Sequence, residues 1–486
     1  MASQAKKITI DTAALFTARL IGLALTLVRL KFVAVYLGVE TFGVYTFAIY
    51  FVMMFAVFFD IGIPQIITRD VAADHSKTSQ YIFNGVVLKS ILFLATSVLI
   101  VGITLLSEFN DLTNWAILLA IVITGTNSLT LVFASTLQAH RKMKLVSLLT
   151  VSTDVSTSLV IIVLLKTGFG LIGLLSGSAV ISVLNLFIAL AICKKIFVTV
   201  QAPVNKALWK HLLREGYPIA LSALGIALYM YLTSTLLKYM KGDETVGYYN
   251  AAFKILSILT VIPNTFVQVI YPFFSELYTT GAEKLRSVLE VSVRYMLIIS
   301  IPLSVGTILI AEKLVATLYS GAFQPAVVPL KILMIANLFS YANWVLYIFF
   351  AAINQQRFGM YVTLSTGIAV VVVNYFLIPT IGFLGPSLSL VCVEIVLFVS
   401  AYLYLHHLGT KLQLQKMFFK PLLSCLLMGV AVYLLAPFTI SLQIAAGIII
   451  YTVAFFLLGG VLQEDRPILE KVLPLPIRDF VLNKIT

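Results

Sequence analysis

Charge is scarce in this chain. Asp, Glu, Lys and Arg make up 11% of its 486 residues and 60% are hydrophobic, against about 25% charged in soluble globular domains. So few charges cannot cover a soluble surface. Cysteine is equally sparse: Cys193, Cys392 and Cys425 fall in or beside apolar segments and share no CxxC spacing. Neither a zinc site nor a disulfide framework is expected. There is no GxxxxGK[ST], and the five histidines form no HExxH. Gly168-Phe-Gly170-Leu-Ile-Gly173 matches GxGxxG in letters only, because no strand precedes it and no acid follows about twenty residues on.

What is abundant is apolar sequence in runs long enough to cross a bilayer, which takes about 20 residues per helix. Fourteen such spans are predicted, near 10–36, 42–64, 81–106, 114–137, 146–166, 171–193, 216–240, 246–274, 289–310, 326–351, 359–378, 383–405, 419–437 and 441–462. The first follows Lys6 and Lys7, contains Arg19, Arg29 and Lys31, and lacks a cleavage-like site, so it is read as a retained span. With the N-terminus inside, 23 of the 33 Lys and Arg residues fall in cytoplasmic segments and 4 in the opposite loops. That asymmetry predicts two cytoplasmic termini and an even span number. It also accounts for the net charge of +13 without nucleic acid, since the basic residues are scattered over many short loops.

The two halves of the chain resemble each other. Glu40-Thr-Phe-Gly43-Val-Tyr45-Thr-Phe-Ala48 matches Glu244-Thr-Val-Gly247-Tyr-Tyr249-Asn-Ala-Ala252 at an offset of 204. Gln138-Ala-His-Arg141 aligns with Asn354-Gln-Gln-Arg357, and Gly170-Leu-Ile-Gly173 with Gly382-Phe-Leu-Gly385. Six spans per copy is an even number, so the halves share one orientation. The expected fold is all-α and membrane-integral. An N-lobe (1–197) and a C-lobe (216–410) are related by a pseudo-two-fold axis along the membrane normal. Between them, 198–215 reads as a cytoplasmic interfacial helix, capped by Asn205 and ended by Gly216, with Leu208, Trp209, Leu212 and Leu213 on its apolar face. Two appended spans (411–463) and a cytoplasmic tail (464–486) complete the chain.

Several spans carry polar faces: Arg19, Gly22, Thr26 and Arg29 in the first, Thr124-Gly-Thr-Asn-Ser-Leu-Thr130 in the fourth, Ser147, Thr150, Asp154 and Thr157 in the fifth, Tyr229, Tyr231, Thr233, Ser234 and Thr235 in the seventh, and Asn337, Ser340, Tyr341 and Asn343 in the tenth. Such faces can be helix–helix glue. Their spread over both halves favours a water-filled cavity. Six cations lie within spans (Arg19, Arg29, Lys31, Lys89, Lys254, Lys331) against three acids (Asp60, Asp154, Glu394). A charge at the bilayer centre costs at least about 2.5–3.5 kcal/mol, so each of the nine is a candidate for substrate, ion-pair or coupling duty. Lys31, Lys89 and Lys331 sit near span ends, where snorkelling is the competing reading. Asp60 could instead satisfy backbone amides freed at its span end. Glu394, deep in its span, is the candidate protonatable coupling group. The cation excess points to an anionic substrate.

Leu37-Gly38-Val-Glu40-Thr-Phe-Gly43-Val-Tyr45-Thr-Phe-Ala48, Asp60-Ile-Gly62 and Arg69-Asp-Val-Ala72 together resemble polysaccharide flippases of the O-antigen type, within the multidrug, oligosaccharidyl-lipid and polysaccharide exporter superfamily. Pro218-Ile-Ala-Leu-Ser222, Val246-Gly-Tyr-Tyr-Asn-Ala-Ala252-Phe-Lys254, Tyr271-Pro272-Phe-Phe-Ser275 and Asn374-Tyr-Phe-Leu-Ile-Pro379 extend the resemblance over nearly the whole chain. The resemblance implies fourteen helices in two six-helix lobes plus two. It also implies alternating access and outward movement of a polyprenyl-pyrophosphate-linked oligosaccharide across a prokaryotic cytoplasmic (inner) membrane. Arg19, Arg29 and Lys254 match the cavity cations that engage the pyrophosphate in relatives. Thr233 stands where many relatives carry an acid, which weakens the case for an ion site there. No cofactor is expected beyond H+ or Na+ as a coupling ion. The expected partners are the anionic glycolipid, the bilayer and other polysaccharide-assembly membrane proteins. A cation-coupled multidrug exporter and a polytopic polysaccharide polymerase or ligase are the alternatives. The first fits the cation excess poorly, and the second lacks a long arginine-bearing outside loop.

Overall fold

In hydrocarbon a backbone can bond only to itself, which leaves helices or closed barrels. The computed structural model describes the backbone of residues 2–197, 203–410 and 412–460, with side chains from Gly22 onward except 279, 280, 282, 414 and 416. Among these residues there is no strand. The helices are α1 (Ala2–Asp60), α2 (Ile63–Ala73), α3 (Thr78–Leu106), α4 (Asp111–Ala139), α5 (Met143–Lys166) and α6 (Gly170–Ile196). There follow α7 (Lys206–Ala227), a π turn at Leu228–Leu232, α8 (Thr233–Lys241), α9 (Asp243–Leu259), α10 (Val261–Thr280) and α11 (Ala282–Leu318). The last are α12 (Val327–Ala352), α13 (Gln356–Ile381), α14 (Leu384–His407), α15 (Leu414–Leu434) and α16 (Ile440–Leu457).

Among the described residues, thirteen segments are long and apolar enough to cross a membrane. The first, Gly22–Ala73, has 52 residues; as one straight helix it would rise about 78 Å, far beyond the ~30 Å hydrocarbon core. It is two crossings. Gly38, at φ 71° and ψ 177°, divides α1 into two arms, a conformation open to glycine and costly to other residues. Counting both arms brings the crossings to the fourteen expected.

The described residues form two compact units. The first comprises the chain up to Asn250 with Leu318–Phe323 and Thr363–Pro386. The second comprises Ala251–Thr317, Gln324–Val362 and the residues from Ser387 on. These units are not cut at the 198–215 joint, because glycines let α7 and α13 approach within the first unit. A Cβ on Gly225 would lie 2.7 Å from the Thr363 carbonyl oxygen, and one on Gly367 2.5 Å from that of Gly225. In the second unit, a core around Tyr341, Phe350, Phe398 and Met428 includes α15 and α16. The Tyr451 hydroxyl donates to the Ile298 carbonyl at 2.8 Å, fastening α16 to α11.

The segment expected to lie on the membrane surface does something else. Asn205 caps α7 as predicted, its side chain accepting from the Leu208 amide at 3.0 Å. Gly216 does not end the helix, which runs on through Pro218 to Ala227. Gly216 instead sits against the Ile61 carbonyl oxygen, where a Cβ would collide. Leu208 and Leu212 are buried in a cluster with Ile63, Ile67, Tyr81 and Leu88, and the Trp209 indole donates to Asn84 Oδ1 at 3.0 Å. The apolar face is therefore spent on protein. Residues 198–202 and the 464–486 tail lie outside the described residues.

The internal repeat has a physical counterpart inside the first unit. A Cβ on Gly43 would collide with the Asp243 carbonyl oxygen, and one on Gly247 with the Val39 carbonyl oxygen. Each glycine thus faces the residue four positions before its counterpart, as a two-fold relation requires. One turn further, Asn250 Nδ2 donates to Thr46 Oγ1 at 2.9 Å across the same offset of 204 residues. Ser234 Oγ donates to Asn250 Oδ1 at 2.9 Å, so this buried amide has partners on both sides.

Backbone atoms cannot step aside for a side chain. Gly43→Val should destabilise the protein by about 3 kcal/mol or more, read as a lower thermal unfolding midpoint in detergent. Gly102→Ala, whose methyl meets nothing within 4 Å, should leave the midpoint unchanged or slightly raised; equal losses in both variants would dismiss the close contact.

Candidate substrate cavity

Asp60 closes α1, and the turn after it is tight: Ile61 has φ 40° and Gly62 φ 66°. Positive φ is unfavourable for a β-branched residue. Two contacts from α7 brace the turn, Gly216 against the Ile61 carbonyl oxygen and Ile219 against Gly62. Beyond it, Arg69 of α2 binds Glu215 at 3.1 Å and Asp70 at 2.8 Å. His211 Nε2 lies 2.8 Å from Asp70. α2 and α7 are clamped together along one edge.

Beside this turn the first unit holds a cavity of about 830 Å³. Asp60, Gln65 and Thr68 border it from α1 and α2, and Tyr231 from the π turn. Thr124, Ser128, Leu131, Ser135 and Gln138 border it from α4, a helical spacing of three and four that puts them on one face. Apolar Ile219, Ala223 and Ala227 supply the α7 side. Among the described residues, no Lys, Arg or His lines it.

The ionic group of the cavity is neutralised from behind. Lys89, on α3, has no exposed surface, while the Asp60 side chain is 34% exposed. Lys89 Nζ donates to Asp60 Oδ1 at 2.5 Å and to the Ser128 carbonyl at 2.6 Å. Ser128 Oγ donates to the same Oδ1 at 2.5 Å. An ammonium in low dielectric needs a counter-charge and hydrogen bonds at once, and here it has both. Lys89 therefore does not snorkel, and Asp60 serves this ion pair where backbone amides had been the alternative.

The other candidates separate by unit. In the first, Arg29 is half-buried and Lys31 exposed on α1. A Cβ on Gly22 would lie 2.8 Å from Asp154 Oδ2, so α5 sets its acid against the polar face of α1, where Arg29 acts on it electrostatically. The Arg19 side chain lies outside the described residues. Thr233 accepts from Asn374 Nδ2 at 3.2 Å, a hydrogen-bonded pair where an acid had been considered. In the second unit, Lys254 is half-buried on α9. Lys331 is 40% exposed and paired with Glu312 at 3.1 Å, so its charge is matched near the start of α12. Glu394 is 6% exposed on α14. Asn343 Nδ2 donates to its Oε2 at 2.7 Å and to its backbone carbonyl at 2.9 Å, and Ser340 reaches the same carboxyl. Among the described residues no cation pairs with Glu394.

Of the exposed amides of the cavity lining, Asn127 lay in the polar run already read on span four, whereas Gln65 and Gln138 were passed over. The polar run of span four contained the signal. Continued at helical spacing to Ser135 and Gln138, it would have found the α4 face.

The ion pair predicts an asymmetry. Asp60→Asn strands a buried ammonium and should cost about 3–5 kcal/mol. Lys89→Met leaves a carboxylate that already meets the cavity and should cost less. The double variant should recover much of the Asp60→Asn loss in thermal unfolding. Additive losses would mean that the two charges are not coupled.

Residues 8–278 match the family model described as "Polysaccharide biosynthesis protein". No curated protein sequence matches the chain. Among solved structures, the lipid II flippase MurJ in an inward closed conformation superposes with a TM-score of 0.72 at 17% identity, over 92% of this chain and 98% of that one. An inward-facing multidrug resistance MATE family transporter of the MOP superfamily gives 0.64 at 16% identity, over 82% and 99%. A MOP superfamily transporter from Pyrococcus furiosus, described as having a binding pocket of reverse polarity, gives 0.60 at 17%, over 82% and 96%. At such identities the likeness is one of fold.

Proposed function

Because the chain belongs to the polysaccharide biosynthesis protein family, we propose that it moves a polyprenyl-pyrophosphate-linked oligosaccharide from the cytoplasmic to the outer leaflet by alternating access. The observation that carries this reading is a cavity inside a bundle of membrane-crossing helices, apolar over most of its wall and crossed by a strip of hydroxyls and amides, whose lining acid Asp60 is neutralised by Lys89. A glycan has to leave water to cross, and its many hydroxyls need replacement partners. An enzyme would need a reacting constellation; a carrier needs a wet, adaptable surface. The fold shared with a lipid II flippase supports the same class of cargo.

Arg29 and Lys254 are the cations assigned to the pyrophosphate, with Arg19 from the resemblance alone. Glu394 is assigned to proton coupling. Its carboxyl is enclosed with amide and hydroxyl partners, and among the described residues no cation pairs with it. It can release its proton when a conformational change admits water. Tyr347, on α12, is the titratable group beside it. Its hydroxyl is already used, donating to the Leu397 carbonyl at 3.2 Å. A cytoplasm-negative potential also favours outward movement of an anionic head, by about 2.3 kcal/mol per charge per 100 mV.

Reconstitution in vesicles with a fluorescent polyprenyl-pyrophosphate glycan tests the reading. Protein-dependent movement between leaflets is expected. Extrusion of cationic dyes without glycolipid movement would favour the multidrug alternative. Arg29→Ala and Lys254→Ala should each slow flipping by about ten- to a hundredfold, the loss of one charge-assisted contact of roughly 1.5–3 kcal/mol, with insertion unaffected. Glu394→Gln should keep potential-driven flipping and lose the response to an imposed pH gradient. An undiminished pH response would remove Glu394 from coupling.

A further inference from the structure

The charge state of the cavity limits what it can hold. Asp60 Oδ1 is occupied by Lys89 and Ser128, and the carboxylate, 34% exposed, meets the cavity with its remaining capacity. Lys89 cancels its charge without reaching the cavity, since it has no exposed surface. An organic cation entering here would give up hydration for a carboxylate that already has its counter-ion. A phosphate would find no cation among the described residues of the lining. A ligand of uncharged hydroxyls meets neither obstacle. The amides of Gln65, Asn127 and Gln138 both donate and accept, and Asp60 is a strong acceptor for an O–H donor. Tyr231 and the α7 alanines offer an apolar surface to a sugar ring. The volume, about 830 Å³, lies within the roughly 300–1,000 Å³ of small-molecule sites.

We propose that this cavity is the glycan subsite of the transporter, taking uncharged sugar units of the lipid-linked substrate, with Asp60 Oδ2 accepting from a sugar hydroxyl. Lys89 is a positioning residue. It holds Oδ1, turns the second oxygen to the cavity and keeps the site electrically neutral, so that sugars are admitted and cations are not. The inference rests on the glycolipid-transport reading and adds to it where the sugar sits and what sets its charge class. The pyrophosphate is left to cations outside this cavity.

The test is site-directed labelling of the full chain in proteoliposomes. Cys193 and Cys425 are buried and Cys392 is exposed, so Cys392→Ala is the background, with Thr124→Cys or Asn127→Cys as the reporter for a maleimide. Three probes are compared: undecaprenyl pyrophosphate bearing a neutral disaccharide, undecaprenyl pyrophosphate without sugar, and tetraphenylphosphonium. The disaccharide-bearing lipid should slow labelling about tenfold at ten times its Kd, and the other two should not. Equal protection by the sugarless lipid, or protection by tetraphenylphosphonium, overturns the assignment. If no probe protects while the glycolipid is still flipped in the same vesicles, transport stands and the subsite falls; if flipping is absent too, both fall. Lys89→Met supplies a readout that a merely structural role would not move. It leaves Asp60 un-neutralised, so tetraphenylphosphonium should now protect the reporter. A folded Lys89→Met variant that still excludes the cation would remove Lys89 from charge selection.

Discussion

An ammonium with no exposed surface in a membrane-crossing helix must be neutralised where it lies, and the arrangement around Lys89 follows from that need. The counter-charge comes from Asp60 at the last residue of α1, the remaining hydrogen bonds from Ser128 on α4. Three helices are thereby tied at one point. The same point fixes where α1 turns into α2, and α7 is braced against that turn by Gly216 and Ile219. The cavity occupies the space these elements leave, so its shape and its neutrality share one cause.

Against this stands a contact made without any side chain. Gly43 and Gly247, equivalent positions of the two repeats, let backbones approach until each faces a carbonyl of the other copy. Thr46 and Asn250, also equivalent, bond one turn away. Without a hydrophobic difference between lipid and side chain, close van der Waals packing and interhelical hydrogen bonds are what hold membrane helices together. This pair of contacts uses both.

The polar groups divide into two kinds. In the first unit they border a cavity and carry no net charge there. In the second, Glu394 is enclosed with Asn343 and Ser340 away from any cation described. The contrast suits a division of labour in which one region accepts cargo and another responds to protons. The expectation of a chamber lined with positive charge came from counting cations in spans. A count cannot tell which of these cations has a carboxylate beside it, and Lys89 and Lys331 do.

The all-helical class, the approximate number of crossings and the repeat were legible in the sequence, because bilayer thickness fixes span length; that Gly38 would carry the left-handed break between the first two was not read from it. The capping role of Asn205 was legible for a similar reason, being set by neighbours three residues away. The continuation of α7 past Gly216 was not: a glycine that ends a helix and one that admits a neighbouring backbone are the same letter. Which amides border the cavity, and which charge stands behind which, depended on residues such as Asp60, Lys89 and Ser128, far apart in the chain and joined only by packing. Periodicity along one helix reports which face is polar. What that face meets is decided by the other helices, and only the tertiary structure brings them into place.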